Sequence, residues 1–330
     1  MNPDAFLRDI LAAPERLARL LDAYDGPTSP LAPLSDGAVL RRVVFIGMGS
    51  SRFAAVAAAA HLRSRGLDAV AELASTGSPT RPSADTLAVG VSASGKTAET
   101  VEALGAHRGT SRSVAITNDP ESDLANAGDV VLPLLAGREE GGVACLTYQA
   151  TVAVLMLLAG RLLGEGPRTA DLYPAVEAAA RLRDERMEWL DEVVGLANNA
   201  RSIATIAPAE RLSSALQSAL MLREGPRAAA HAAETGDWLH VDLYLSKRPG
   251  YLALLLAGSR FDAAVLEWAA KRAFPMVAIG TPLPGATIGV TYPCADDPYV
   301  RLLVETGVAE LAAAELWQRR VAAGDPALVD

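Results

Sequence analysis

Three loops of glycine and hydroxyl-bearing residues carry the chain's most suggestive chemistry. The first reads Gly47-Met48-Gly49-Ser50-Ser51 and the second Ser92-Ala93-Ser94-Gly95-Lys96-Thr97. The third runs from Gly137 to Cys145 as GREEGGVAC. The first two lie between a β-branched run and a helical stretch, and the third opens a long apolar helix. Backbone N–H groups at helix starts, joined by clustered hydroxyls, suit a phosphate dianion. Any one loop reads equally well as an ordinary strand-to-helix turn; three together point to a ligand. Two nucleotide motifs overlap them. Gly90-x4-Gly95-Lys96-Thr97 fits the P-loop pattern, yet Asp119 is the one fair candidate for a Mg²⁺-holding aspartate. Gly47-x-Gly49 begins a dinucleotide fingerprint, with Glu72 where a ribose-binding acid would stand. Its third glycine position is Arg52, too bulky for close helix–strand packing.

Such loops need strands and helices to hold them, and the apolar pattern supplies both. Residues 2–24 place Phe6, Ile10, Leu11, Leu17, Leu20 and Leu21 at helical spacing. A linker broken by proline and glycine, DGPTSPLAPLSDG, follows. Arg42–Gly47, Asp68–Ala74, Leu87–Ser92, Ser113–Asn118 and Val130–Leu134 read as strands, and Phe53–Arg65 as a helix. Strands alternating with helices predict a parallel α/β sheet. A long apolar helix is expected over 147–165 and a charged one over 171–198. Alternation then resumes, with strands at Ser202–Ala207, Tyr251–Ala257, Pro275–Gly280 and Thr287–Tyr292. Helices are expected at Arg211–Arg223, Phe261–Arg272 and Val300–Ala322. The expected organisation is a helix and linker over 1–38, an α/β domain over 39–165, a bridging helix over 166–199 and a second α/β domain over 200–330.

Composition narrows the function classes. Half of the 330 residues are apolar, so the chain can bury a large core. Thirty basic against 39 acidic residues give a formal charge of −9. That balance argues against a general nucleic-acid or anionic-membrane binder. The most apolar stretch, Thr151–Gly160, is shorter than the ~20 residues of a membrane span. The opening MNPDAFLRDI is too charged for a signal peptide, and a cytoplasmic location is expected. Cys145 and Cys294 make neither a disulfide framework nor a metal spacing. With four histidines, no metal site and no organic cofactor are expected. The lysines are Lys96, Lys247 and Lys271, so lysine chemistry has few candidates.

The three loops, in order G-x-G-S-S, S-x-S-G-x-T and A-G-x-E-x-G-V-A before a long helix, resemble the sugar isomerase (SIS) family. The strand at Ala69–Ala74 with Glu72, and Thr117-Asn118 followed by Ser122 and Leu124, fit the same pattern. The N-terminal FLRDILAAPERLARLL is similar to the segment that opens the isomerase half of the glucosamine-6-phosphate synthases. The likeness spans nearly the whole chain as two SIS domains, closer in the first half than in the second. It implies a phosphate held by Ser51, Ser92, Ser94 and Thr97, with Gly49, Ser50, Val143, Ala144 and Cys145 along the sugar. The second half has Ala257-Gly258-Ser259-Arg260 in place of a second S-x-S-G-x-T, so one phosphate site per chain is expected.

The resemblance also implies the acid/base groups. Glu224, in ALMLRE, falls on the family's catalytic glutamate, and His240, in GDWLH, on its ring-opening histidine. An aldose opens by proton transfer at O1 and O5, a task for an imidazole. The C2 proton is then taken by a carboxylate, best placed at the partly desolvated end of an apolar helix. His231, Glu234 and Trp238 are further candidates, with a purely structural loop as the simpler account. The family's histidine comes from a neighbouring subunit, which implies a homodimer. There are departures: Val241-Asp242 replaces Gly-Pro after the histidine, and no lysine follows Lys271. The glutamine-hydrolysing half of the synthases has no counterpart in the sequence, so glutamine-driven ammonia transfer is not expected.

The expected substrate is thus a sugar phosphate, and the expected first step is C2 deprotonation of its open-chain aldehyde. Loss of a C3 substituent would give a lyase or dehydratase, with N-acetylglucosamine 6-phosphate the favoured substrate because elimination needs no lysine. Proton return at C1, or loss of an amine, would give an isomerase or deaminase of a hexose or hexosamine 6-phosphate. A non-catalytic sugar-phosphate sensor is the third alternative. The acidic stretch before the first strand is a poor helix-turn-helix and weakens it.

Overall fold

The computed structural model describes residues 1–34 and 40–328. The expected boundary at 38/39 lies outside the described residues. The chain divides into two compact units, one of Glu15–Arg138 with Leu146–Tyr173, the other of Met1–Pro14, Glu139–Cys145 and Pro174–Asp330. Helix α1 (Pro3–Tyr24) contributes to both.

The first of these units is a five-stranded parallel sheet in the order β2-β1-β3-β4-β5. Its strands are β1 (Arg42–Gly47), β2 (Asp68–Leu73), β3 (Thr86–Val91), β4 (Arg112–Thr117) and β5 (Val130–Pro133). Central β3 is buried at all six positions, as a strand covered on both faces must be. Helices α2 (Gly49–Ser64), α3 (Ala98–Gly105) and α4 (Asp123–Ala127) connect the strands. Helix α5 (Leu146–Leu163) completes the unit and is buried at every position from Leu146 to Ala159. By length and composition α5 is apolar enough to cross a membrane, contrary to the sequence expectation, but 83% of it is buried inside the protein. It is a helix apolar on all sides because it is surrounded.

The other unit repeats the topology. Its sheet runs β10-β9-β8-β6-β7, from β6 (Ser202–Ala207), β7 (Ala230–Glu234), β8 (Tyr251–Leu256), β9 (Met276–Ile279) and β10 (Ile288–Val290). Read from each unit's first strand, both orders are 2-1-3-4-5, with all neighbours parallel. Each sheet therefore has one point where connections leave in opposite directions, β1/β3 and β6/β8. Such switch points open a crevice at the carboxyl ends of the strands.

The expected bridging helix over 171–198 is instead a series of pieces. These are α6 (Thr169–Leu172), α7 (Pro174–Asp184), a 3₁₀ turn at Glu185–Glu188 and α8 (Leu190–Asn199). Pro174 stands at the first break as the opening residue of α7, the position where its missing N–H costs least. Past β6 come α9 (Leu212–Glu224), α10 (Thr235–His240) and α11 (Asp262–Arg272). The expected closing helix is divided at Glu305 into α12 (Pro298–Val304) and α13 (Thr306–Ala322). Strand β7 escaped the sequence reading because AHAAE has no β-branched residue; pairing with β6 makes it a strand. Pro14 sits inside α1 and cannot donate to the Ile10 carbonyl. The buried Arg183 does so instead, its Nε 2.6 Å from that oxygen, while its guanidinium faces Glu310 at 3.8 Å.

Candidate functional site

The carboxyl edge of the first sheet gathers two of the three loops. Gly47 and Val91 are register partners at the ends of β1 and β3. A Cβ on Gly47 would lie 3.2 Å from the Val91 carbonyl and 3.3 Å from Ser51 Cβ. Ser51 therefore packs at the switch point, on the first turn of α2, beside the chain that continues into Ser92. Gly49 takes φ +49°, a conformation glycine adopts freely, and leads Ser50 and Ser51 into the helix. The Ser92 and Thr97 hydroxyls are 2.9 Å apart. Ser92 is buried and Ser94 exposed, and Ser94 Oγ accepts from the Lys96 N–H at 3.2 Å.

Gly95 fixes the shape of this loop. Its φ is +65°, and a Cβ there would fall 2.0 Å from Ser122 Oγ and 2.3 Å from Ser122 Cβ. Its carbonyl accepts from the Leu124 N–H at 3.0 Å. Ser122 in turn caps α4 by accepting from the Ala125 N–H at 3.4 Å. Asn118 ties down the start of the third loop: its Nδ2 donates to the Gly137 carbonyl at 2.6 Å, and its Oδ1 accepts from Ala136 N–H at 3.0 Å. The residues Thr117-Asn118, Ser122 and Leu124 are thus the mould for the Ser-x-Ser-Gly turn.

The nucleotide motifs do not survive this geometry. Gly90 lies within β3, where a Cβ would press 2.8 Å from Leu104 Cδ2; it is a packing glycine and not part of a loop. Glu72 accepts from the Thr80 N–H and hydroxyl, and Asp119 Oδ1 accepts from Glu121 N–H within its own turn. Each acid thereby serves local backbone.

The rest of the third loop belongs to the other unit. Gly141 packs on Phe6 so closely that a Cβ would sit 2.4 Å from Phe6 Cα, and its N–H donates to Asp9 Oδ2 at 2.7 Å. Burial pushes the Asp9 carboxyl up from its ordinary value against that bond. Val143 and Cys145 are buried, and Cys145 Sγ lies 3.6 Å from Glu139 Oε2. Gln217, buried on α9, donates to the Ala144 carbonyl at 2.7 Å. The sequence reading missed Gln217. Its signal was a lone amide on the otherwise small and apolar face of ALQSALMLRE.

Glu224 ends that same helix, half-buried. Desolvation raises its carboxyl above the ordinary value, partly offset by Arg227 and Arg223, as burial at an apolar helix end does to any carboxyl. A Cβ on the following Gly225 would lie 2.9 Å from Trp317, so the turn off the helix is closely packed. His240 is exposed at the last position of α10. Strand β7 separates the two. Ala230 pairs near the start of β6 and Glu234 at its end, so Glu224 precedes the amino edge of the sheet, whereas α10 departs from the carboxyl edge. Among the described residues no hydrogen bond or ion pair joins them. The flanking candidates have structural jobs. Glu234 caps α10 through the Asp237 N–H at 2.8 Å. Trp238 is fully buried, with Nε1 donating to Tyr251 Oη at 2.8 Å. His231 lies in β7 with its ring 6.4 Å from that of Tyr251.

Residues 38–161 match the SIS domain family. Over 270 residues the chain is 28% identical to the isomerizing glutamine--fructose-6-phosphate aminotransferase of Aeropyrum pernix. That alignment spans 78% of this chain and 44% of the relative; the chain covers less than half the length of the curated relative it matches. Among solved structures, the C-terminal domain of glucosamine-fructose-6-phosphate aminotransferase from Francisella tularensis superposes with TM-score 0.78 at 17% identity. That match covers 96% of this chain and 99% of that one. Glucosamine-6-phosphate deaminase of Thermotoga maritima gives 0.71 at 20% identity, over 96% and 95% of the two chains.

Proposed function

We propose that this chain, a SIS-domain protein homologous to the isomerase domain of glutamine--fructose-6-phosphate aminotransferase, binds an open-chain hexose or hexosamine 6-phosphate and moves its C2 proton. The observation that carries the reading is the Ser92–Thr97 turn, clamped in its left-handed glycine conformation by Ser122 at a switch point. Ser51, Ser92, Ser94 and Thr97 hold the phosphate through hydroxyl and backbone donors. Gly49 and Ser50 shape the approach to it. Val143, Ala144 and Cys145 lie along the sugar, their backbone tethered by Gln217.

Glu224 is the proposed base. It takes the proton from C2 as the C1 aldehyde accepts the electron pair, giving an enediolate from a hexose or an enaminolate from a hexosamine. Return of that proton to C1 yields the ketose, and departure of a C3 substituent instead yields an unsaturated sugar. The isomerizing activity of the Aeropyrum pernix relative favours the first outcome. A second reading, elimination from N-acetylglucosamine 6-phosphate, is favoured by the lysines. Lys247 and Lys271 lie over the rings of Tyr244 and Trp268, which leaves Lys96 in the phosphate turn and no amine assigned to an iminium. His240 opens the ring, and we propose that it serves a second copy of the chain in a homodimer. The support is its separation from Glu224 by the length of β7.

Proton NMR in D₂O with glucosamine 6-phosphate, N-acetylglucosamine 6-phosphate and fructose 6-phosphate tests the proposal. Deuterium at C2 with a new ketose or released ammonia supports isomerase or deaminase chemistry, and an olefinic signal supports elimination. Wild-type protein that binds these sugars without exchanging the C2 proton of the two aldoses or a C1 proton of fructose 6-phosphate would overturn the catalytic reading in favour of a sensor.

A further inference from the structure

The second sheet has its own switch point at β6/β8, and its loops are built quite differently. Arg211, just before α9 and 3% exposed, pairs with the fully buried Glu305. It also donates to the Ala257 carbonyl at 2.6 Å. Arg301, on α12, donates to Thr281 Oγ1 at 3.0 Å and to the Ala295 carbonyl. Both guanidinium groups close on Gly258, whose φ is +130°. A Cβ there would fall 2.6 Å from Arg301 Nη1 and 2.7 Å from Arg211 Nη2. From the first turn of α11, Asp262 enters the same turn. Its Oδ2 accepts from the Gly258 N–H at 2.6 Å and the Ser259 N–H at 3.1 Å. Asp262 is 6% exposed and its Oδ1 lacks a hydrogen-bond partner, as does the hydroxyl of Tyr292, 7% exposed.

Two successive backbone N–H groups in the turn that precedes α11, with two guanidinium groups closing on the same glycine, form a donor set that can recognise an oxyanion. We propose that the carboxyl edge of the second sheet is an oxyanion site filled by the chain's own Asp262 carboxylate, and that removing this carboxylate opens it to a free carboxylate or phosphate. Topologically the turn corresponds to Ser92–Thr97. The two sheets share one strand order, and in the second the turn after the central strand is filled by an acid of the chain itself. The inference stands apart from the first-sheet phosphate site, and either can fail alone.

The test is anion rescue of Asp262→Ala. Removing the carboxylate leaves the Gly258 and Ser259 amides without their acceptor, so the variant should melt below wild type. Millimolar inorganic phosphate or formate should then raise its melting temperature more than that of wild type, with the logarithmic concentration dependence of a bound ligand. Sodium chloride at the same ionic strength should not. Phosphate acting at the first sheet raises both proteins alike and cancels in the comparison. Adding Arg301→Gln should abolish the excess. Should Asp262→Ala give no folded protein, Asp262→Asn keeps an acceptor for the two amides and should show the same excess in smaller measure. Equal responses of variant and wild type to phosphate and formate, or an excess that chloride reproduces or that survives Arg301→Gln, would overturn the proposal.

Discussion

Replacing Gly95 by alanine probes the mould of the proposed phosphate turn. An L-residue held at φ +65° pays about 1–2 kcal/mol of left-handed strain. The added Cβ would meet Ser122 Oγ at 2.0 Å, Ser122 Cβ at 2.3 Å and Thr117 Oγ1 at 2.8 Å. Ser122 cannot retreat cheaply, because its hydroxyl caps α4 and the Leu124 N–H is bonded to the Gly95 carbonyl. Overpacking of this kind costs about 1–3 kcal/mol. The expected loss is therefore roughly 2–5 kcal/mol, with loss of the stabilisation conferred by a sugar 6-phosphate. Ser122→Gly removes the two nearest atoms and, as an N-cap change to glycine, costs a few tenths of a kcal/mol. The double variant should then recover the overpacking part, about 1–3 kcal/mol, and retain the backbone strain. Urea unfolding of the four proteins measures this coupling. If the two substitutions are simply additive, or if Gly95→Ala unfolds like wild type, the contact reasoning is wrong.

Three further outcomes follow from the structure. Glu224→Gln should lower C2 exchange by about 10²–10⁴-fold while a bound sugar phosphate still stabilises the variant, and wild-type exchange should be lost on acidification at a pH higher than an ordinary carboxylate would set, because burial raises this group. The sign for stability is opposite to that of a salt-bridged acid: the charged form destabilises the fold above the raised folded value, and the effect vanishes below the unfolded one. Glu224→Gln should therefore be the more stable protein at neutral pH and the equal of wild type in acid, as denaturant titrations at two pH values would show. Gln217→Leu removes a hydrogen bond worth about 0.5–1.5 kcal/mol from the Ala144 carbonyl, and steady-state kinetics should show KM rising up to about tenfold with a smaller change in kcat; a fall in kcat alone would speak against a positioning role. Arg211→Met strands the buried Glu305 and should cost about 3–5 kcal/mol in chemical denaturation, whereas a neutral result would mean that Glu305 is otherwise satisfied.

Helix–strand alternation and the Gly/Ser loops were legible because they are local. A buried parallel strand must be a short apolar run, and a strand-to-helix turn that meets an anion must be small and polar. The sequence thus determined both sheets' central strands, α1, α2, α5, α9 and α11, and the Ser-x-Ser-Gly turn as the place of interest. Features set by remote neighbours were not legible. Strand β7 exists because β6 lies beside it; the break before Pro174, by contrast, was legible in the proline itself.

The site shows the same division. That Gly95 must be glycine follows from Ser122, 27 positions further on. Gln217 acquires a role from the Ala144 carbonyl, and Glu234 and Trp238 lose a chemical one to a helix cap and a buried ring contact. Asp262 reads in sequence as an ordinary acid near a helix start, while Arg211 and Arg301 read as surface charge in an arginine-rich chain. Only the folded sheet brings them onto Gly258, because convergence of distant side chains depends on strand order and packing, which no local pattern of residues encodes.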